Sequence, residues 1–375
     1  VSGTQLIVAG NIDYETNATL NIYVQVSDGE NTYQKAMTVT VNDIKETPSI
    51  IVGDLIKTFD DDNFDLSATS SSTGAFTYTV TDQNIATVNG NTVTIVGAGS
   101  TSITVTQAED NNFAAATATF TLTINKADPT ISLADISKTY GDANFNLSAS
   151  SSSTGAFTYT IADQNIATIN GVAVSIEGAG STSITVTQAA DNNYNTASKT
   201  VNLSVAKATP TLSFNNVVKN YGDSSFTLAA QTQSSSGTLS YTSADNSLVS
   251  ISGSTATING AGTSLITVTQ SETANYIAAT SSFTITVNKI DPTLSAFGVV
   301  TKTFGDPVFE ITPPTKDVDN SSSFTFTSSN ANIASITDNK VTINGAGTAV
   351  ITASLSANDN YNAGSISTTL TVNKA

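Results

Sequence analysis

Gly178-Ala179-Gly180-Ser181-Thr182-Ser183-Ile184-Thr185-Val186-Thr187 is the stretch that decides the fold of this chain. A glycine turn runs into alternating apolar and polar residues rich in β-branched side chains. Period two places Ile184 and Val186 on one face and the threonines on the other, the mark of a half-buried strand. Gly-Ala-Gly fits a turn that needs positive φ or close backbone approach. No helical run follows it, which argues against a phosphate-binding loop.

The same alternation spreads outward from Pro129 to Lys207. Ile131 and Leu133 alternate with polar neighbours, as do Phe145, Leu147 and Ala149, then Phe157, Tyr159 and Ile161. Val172, Val174 and Ile176 follow, and Val201, Leu203 and Val205 close the segment. Ile166-Ala167-Thr168-Ile169 reads as a shorter strand. No stretch shows useful helical periodicity. About seven short strands in one small unit predict a two-sheet, immunoglobulin-like sandwich. With neither Cys nor Trp in the chain, its core must close on aliphatic and aromatic packing.

That segment is one of four copies. Gly-Ala-Gly recurs from Gly97, Gly178, Gly260 and Gly345, at steps of 81, 82 and 85 residues. Pro48, Pro129, Pro210 and Pro292 recur at steps of 81, 81 and 82. Such a period is a whole small domain, too long for a solenoid or propeller unit. The expected units are 48–127, 128–208, 209–290 and 291–375, with 1–47 standing apart. The predicted fold class is therefore all-β: tandem immunoglobulin-like β-sandwiches in an extended rod. The junctions Asn125-Lys126-Ala127-Asp128-Pro129, Ala206-Lys207-Ala208-Thr209-Pro210 and Asn288-Lys289-Ile290-Asp291-Pro292 are short and lack glycine. Proline at their ends favours limited bending. A ten-residue strand spans about 33 Å, so four units end to end reach about 150 Å. Under tension, the first and last strands of each unit should load their hydrogen bonds in shear.

Composition narrows the function. The 375 residues include no His, Cys, Trp or Arg, and all 13 basic residues are Lys. Most nucleophilic, acid–base and transition-metal chemistry draws on His or Cys, so the expectation is no enzyme. The net charge of −17 argues against nucleic acid or an anionic membrane as partner. No run approaches the ~20 apolar residues of a membrane helix, so no direct membrane insertion is expected. Val1 is preceded by no initiator Met or signal peptide, and the chain is read as part of something longer.

Two further motifs recur. Lys138-Thr139-Tyr140-Gly141-Asp142 returns at Lys219 to Asp223 and Lys302 to Asp306, and as Lys57-Thr58-Phe59-Asp60-Asp61 in the first copy. It reads as a Gly-Asp turn with an aromatic packed at a domain end; a Lys–Asn/Asp isopeptide bond is the functional alternative. Asp191-Asn192-Asn193-Tyr194 resembles Asp110 to Phe113 and varies to Thr273 to Tyr276 and Asn358 to Tyr361. It reads as a loop between the last two strands, its aromatic plugging the sandwich end. Such oxygens suit calcium, but Thr273 and Ala274 replace the acids in one copy. Asp60, Asp61 and Asp62 form the densest acid cluster, compatible with a solvated turn or with calcium. Outward Thr residues such as Thr104, Thr106, Thr121 and Thr123 fit a soluble strand face; ice or sugar binding is the alternative.

Residues 1–47 carry Asp13-Tyr14-Glu15, two strands at Leu20 to Val26 and Ala36 to Val41, a turn at Ser27-Asp28-Gly29, and the linker Asn42-Asp43-Ile44-Lys45-Glu46-Thr47-Pro48. This resembles the C-terminal half of a cadherin-like domain, with Lys45 where that family has Asn. The resemblance implies Ca²⁺ at the junction, with Asp13, Glu15, Asp43 and Glu46 as candidate metal ligands and Asp28 facing the preceding junction. The four repeats resemble bacterial immunoglobulin-like repeats of very large secreted surface proteins. The residues carrying that likeness are Lys-Thr-Tyr-Gly-Asp, Gln164-Asn165-Ile166-Ala167-Thr168-Ile169, Gly178-Ala179-Gly180 with Ile184-Thr185-Val186, and Asn125-Lys126-Ala127. Together the two resemblances imply a giant cell-surface adhesin of the gliding or biofilm-forming Bacteroidota type. The expected role is a mechanically robust extracellular stalk presenting an adhesive region away from the cell. The alternative is that the repeats themselves bind glycan or a surface partner protein. Expected partners are surface glycans and cell-surface or secretion-machinery proteins. The fourth copy's altered region, Pro313, Pro314 and Asp317 to Asn320, is the best place for a private contact.

Overall fold

The computed structural model describes residues 9–10, 12–14, 16–298, 300–316 and 322–375. All regular secondary structure among them is β-strand, and none of it is a helix able to cross a membrane. Each copy holds one four-stranded and one three-stranded sheet, and no sheet passes from one copy into the next.

The second copy shows the plan. Its larger sheet runs in the order Ile136–Thr139, Ala197–Ala206, Gly180–Gln188, Phe157–Ile161. The first pair is parallel, with Ile136 opposite Leu203. The other pairs are antiparallel, with Ile184 opposite Val201 and Tyr159 opposite Val186. The smaller sheet runs Phe145–Asn146, Ala173–Ile176, Ala167–Asn170. Between them lie Leu147, Ala167, Val174, Ile184, Val201, Leu203 and Val205, all buried. The alternation in the sequence is thus the alternation of the pleat: Ile184 and Val186 have no exposed surface. Phe76 and Tyr78 of the first copy, and Tyr159 of the second, pack against the cores and form no outer aromatic platform.

One strand is not marked by the alternation in the sequence: Ile136–Thr139, which runs into the Lys138 to Asp142 turn motif, pairs in parallel with the last strand. Its periodicity is broken by Lys138, whose ammonium group sits 4.8 Å from the centre of the Phe145 ring. Lys57, Lys219 and Lys302 lie over Phe64, Phe226 and Phe309 at 4.9, 5.0 and 4.7 Å. A lysine stem lying on apolar surface with its charge on a ring face serves as an inward residue. This accounts for the repeated Lys by packing.

At the end of the long strand a glutamine is fully buried in three copies: Gln107, Gln188 and Gln270. Gln188 Nε2 donates to Ser153 O and Gly155 O, both at 3.0 Å, and Gln107 does the same to Ser72 O and Gly74 O. The glutamine therefore braces a serine-rich loop from inside. Leu355 is buried at the corresponding place in the fourth copy, where that loop has a different sequence. Asp317 to Asn320 lie outside the described residues.

The segment before the repeats is an antiparallel hairpin, Thr19–Ser27 with Thr32–Thr40. Asp28 Oδ1 accepts the amides of Glu30 and Asn31 at 3.1 and 2.8 Å, and Gly29 takes a φ of 100° to close the turn.

Candidate functional site

The Lys-Thr-Tyr-Gly-Asp motif is a turn that leaves the parallel strand. Asp142 Oδ2 accepts the Thr139 amide at 2.9 Å, closing it, and Gly141 takes a φ of 89° that disfavours a side chain. In the first copy Asp60 holds that conformation, with a φ of 75°, a cost Asp tolerates better than most residues. The turn projects Phe59, Tyr140, Tyr221 or Phe304 beyond the strand.

The Asp-Asn-Asn-Tyr loop is also built from hydrogen bonds. Asp191 Oδ1 accepts the amides of Asn193 and Tyr194 at 2.9 and 2.8 Å. Asp191 Oδ2 accepts Ser153 Oγ, Thr154 N and Thr154 Oγ1, each at 2.9 Å. The Thr154 amide, reinforced by these other donors, holds the Asp191 carboxyl well below the usual carboxylate range. Asp110 is held low in the same way, first by the Thr73 amide. In the third and fourth copies Thr273 Oγ1 and Asn358 Oδ1 accept the Tyr276 and Tyr361 amides at 3.2 and 2.8 Å. Because a hydroxyl and an amide replace the acid, the shared task of this position is to cap the loop's amides.

What the two motifs shape is a joint between copies. Asn193 of the second copy turns its Oδ1 onto the Ala98 amide, the middle of Gly97-Ala98-Gly99 in the first, at 3.0 Å. Asn275 accepts the Ala179 amide and Asn360 the Ala261 amide, each at 2.9 Å. Beside each bond the two aromatics meet edge to face. Phe59 and Tyr194 have centroids 5.4 Å apart, and Tyr140–Tyr276 and Tyr221–Tyr361 each 5.5 Å. The first glycine of the turn is a matter of space: a Cβ on Gly97 would lie 2.6 Å from Asn84 O and 3.4 Å from Asn193 Oδ1. The first joint adds a bond from Tyr194 Oη to Asp60 Oδ2 at 2.7 Å. Accepting that bond, Asp60 raises the pKa of the Tyr194 phenol.

The linkers are tied into the same joints. Ala127 N donates to Asn193 O at 3.0 Å and Asn195 N to Ala127 O at 2.8 Å, a short parallel bridge. Ala208 and Ile290 bridge Tyr276 and Tyr361 in the same way. The lysine before each bridge reaches the loop: Lys126 to Asp191 O, Lys207 to Glu272 and Thr273 O, Lys289 to Asn358 O. Sequence reading took the three motifs as separate features of one unit. The structure instead brings the Gly-Ala-Gly turn and aromatic turn of one copy against the loop of the next. A signal for this was present: the Asn–aromatic pair persists in all four copies while the residue capping the loop changes from Asp to Thr and Asn.

The expected calcium ligands are placed as follows. Glu15 lies outside the described residues. Asp13 Oδ2 accepts Thr16 Oγ1 at 2.6 Å, Asp43 is half-buried and Glu46 exposed. Glu46 occupies the linker-bridge position, its backbone paired with Phe113 as Ala127 is with Tyr194. Lys45 matches the linker lysines and pairs with Glu109 at 3.3 Å. Its departure from the cadherin pattern is therefore the repeat's own linker chemistry. Among the described residues no three acidic groups gather within reach of one metal ion.

No protein-family model and no curated protein matches the sequence. Among solved structures, the chain is similar to Drosophila N-cadherin domains EC1–4, with 12% identity, 86% of this chain and 100% of that one covered, and a TM-score of 0.23. It is similar to the insect immune protein hemolin at 12% identity, with 88% and 100% covered and a TM-score of 0.27. Domains 1–6 of the surface layer protein SbsC align at 16% identity, covering 88% of this chain and 54% of that one, with a TM-score of 0.22. Likeness at this level carries no conclusion about what the chain binds.

Proposed function

We propose that this chain is a stalk: a row of sandwiches joined stiffly enough to hold an adhesive region away from a cell surface. The observation that supports this best is the joint, made three times from the same hydrogen bond, the same ring pair and the same linker bridge. A flexible tether would have no need of it. In each unit a strand near its start pairs in parallel with the last strand and adds strength, because pulling the chain ends apart loads that pair in shear. The proposed setting is the extracellular face of a bacterium, within a large secreted adhesin of the gliding or biofilm type, whose partners are surface glycans or cell-surface and secretion-machinery proteins. Small-angle scattering tests the stalk: a rod with a maximum dimension of about 150 Å is expected, and a compact particle would overturn it. A glycan array tests the rival reading, since the repeats themselves should bind nothing on it. Calcium at the first junction is proposed on Asp13, Glu15, Asp43 and Glu46; its check is calorimetric titration of the chain and of an Asp43→Asn variant, which should bind more weakly.

A further inference from the structure

The fourth unit carries the same socket as the other three. Gly345-Ala346-Gly347 repeats the turn whose middle amide is bonded in the three earlier units. The Ala346 amide finds no acceptor among the described residues. Gly97, Gly178 and Gly260 are buried where the incoming Asn approaches them, whereas Gly345 is only half-buried. Phe304 stands where Phe59, Tyr140 and Tyr221 meet an incoming ring, and it is 47% exposed. Asn373-Lys374-Ala375 repeats Asn125-Lys126-Ala127, the linker that carries the second unit into its joint.

We propose that this end of the fourth unit is a docking site for one further unit of the same repeat type, carried on the Asn373-Lys374-Ala375 linker. The occupant is defined by chemistry. A bare backbone amide next to a ring edge calls for an amide oxygen one residue before an aromatic, and Asn193-Tyr194, Asn275-Tyr276 and Asn360-Tyr361 answer that call in the three filled joints. A contact this small is filled in cis, where a short linker supplies an effective concentration of about millimolar. The inference rests on the joint geometry and is independent of the adhesin reading.

The test adds a second copy of residues 128–208 after Ala375 in the full chain and reads amide exchange by NMR. Ala346 should exchange at least about tenfold more slowly in the extended chain than in the original. Asn→Ala at the added copy's equivalent of Asn193, or Phe304→Ala, should return the fast rate. Folding of the added copy is read from its own buried amides in the same spectra, and residues 209–290 serve as a second added unit. If Ala346 stays fast while Ala98, Ala179 and Ala261 are protected, the socket is overturned and the joints stand. If those three are fast as well, the joint reading falls and takes the socket with it. Protection of Ala346 in the original chain that grows with concentration would make a second molecule the occupant and overturn the proposal.

Discussion

Replacing Tyr140 on one side of the second joint and Asn275 on the other, both by Ala, should turn a stiff connection into a hinge. The joint is held by the Ala179–Asn275 hydrogen bond at 2.9 Å and the edge-to-face pair of Tyr140 and Tyr276 at 5.5 Å. A neutral hydrogen bond contributes about 1 kcal/mol net. An edge-to-face ring pair adds about 0.5–1.5 kcal/mol beyond its buried area. Added to the Ala208–Tyr276 linker bridge, they contribute about 2 kcal/mol, a factor of about 30 in the closed-to-open ratio at tenfold per 1.4 kcal/mol. Asn275→Ala alone should lower that ratio about fivefold, and the double variant about thirtyfold. Because the chain has no Cys, spin labels can be placed cleanly at Asn202→Cys and Ser282→Cys, exposed strand positions on the two flanking units. Pulsed dipolar spectroscopy should show one narrow distance in the parent, a minor second population in Asn275→Ala, and a broad distribution in the double variant. Melting of the units should change little in Asn275→Ala, whose side chain is no part of a core, while Tyr140→Ala also removes a ring packed against the second unit's core. A double variant as narrow as the parent, or a parent already broad, would refute the reasoning.

Other outcomes follow from the same contacts. Gln188→Leu should destabilise the second unit by about 1–3 kcal/mol in denaturant unfolding, because two carbonyls lose their donor while only the unpartnered Oε1 is relieved; an unchanged midpoint would show that the brace carries no stability. Asp110 and Asp191 are held low by amide donors, so the stability they contribute is present above the unfolded carboxylate value of about 3.9 and fades as pH falls below it. Asp191→Asn should therefore flatten the acid dependence of the second unit's melting, whereas the third and fourth units, with Thr273 and Asn358, lack this loss. Pulling the chain from its ends in an optical trap should give evenly spaced unfolding steps, one per unit; a single merged event would contradict separate sandwiches with sheared terminal strands.

Much of the fold was legible because burial in a two-sheet sandwich imposes period two. Ile184, Val186, Leu203 and Val205 announced their own inward faces. The hairpin at 19–40 was legible for the same reason, together with its Asp28-Gly29 turn. The strand Ile136–Thr139 was hidden because Lys138 fills an inward position by lying on Phe145, which no hydropathy pattern records. The joint was hidden more deeply. Ala98 and Asn193 lie 95 residues apart, and each side is an ordinary polar turn when read within its own copy. Only the persistence of Asn–aromatic beside a changing loop cap separated joint residues from turn residues. The calcium reading came from the likeness of residues 1–47 to a cadherin-like half-domain; the backbone bridge at Glu46 and the Lys45–Glu109 pair are contacts of the linker that this likeness does not announce.

Residual dipolar couplings measured on all four repeats in one aligned sample bear most directly on the joint. If the repeated contacts hold the units stiffly, a single alignment tensor should fit the amide couplings of all four with one magnitude and one orientation. Four tensors of different magnitude, each fitting only its own unit, would show that the joints do not hold and that the row is a flexible tether.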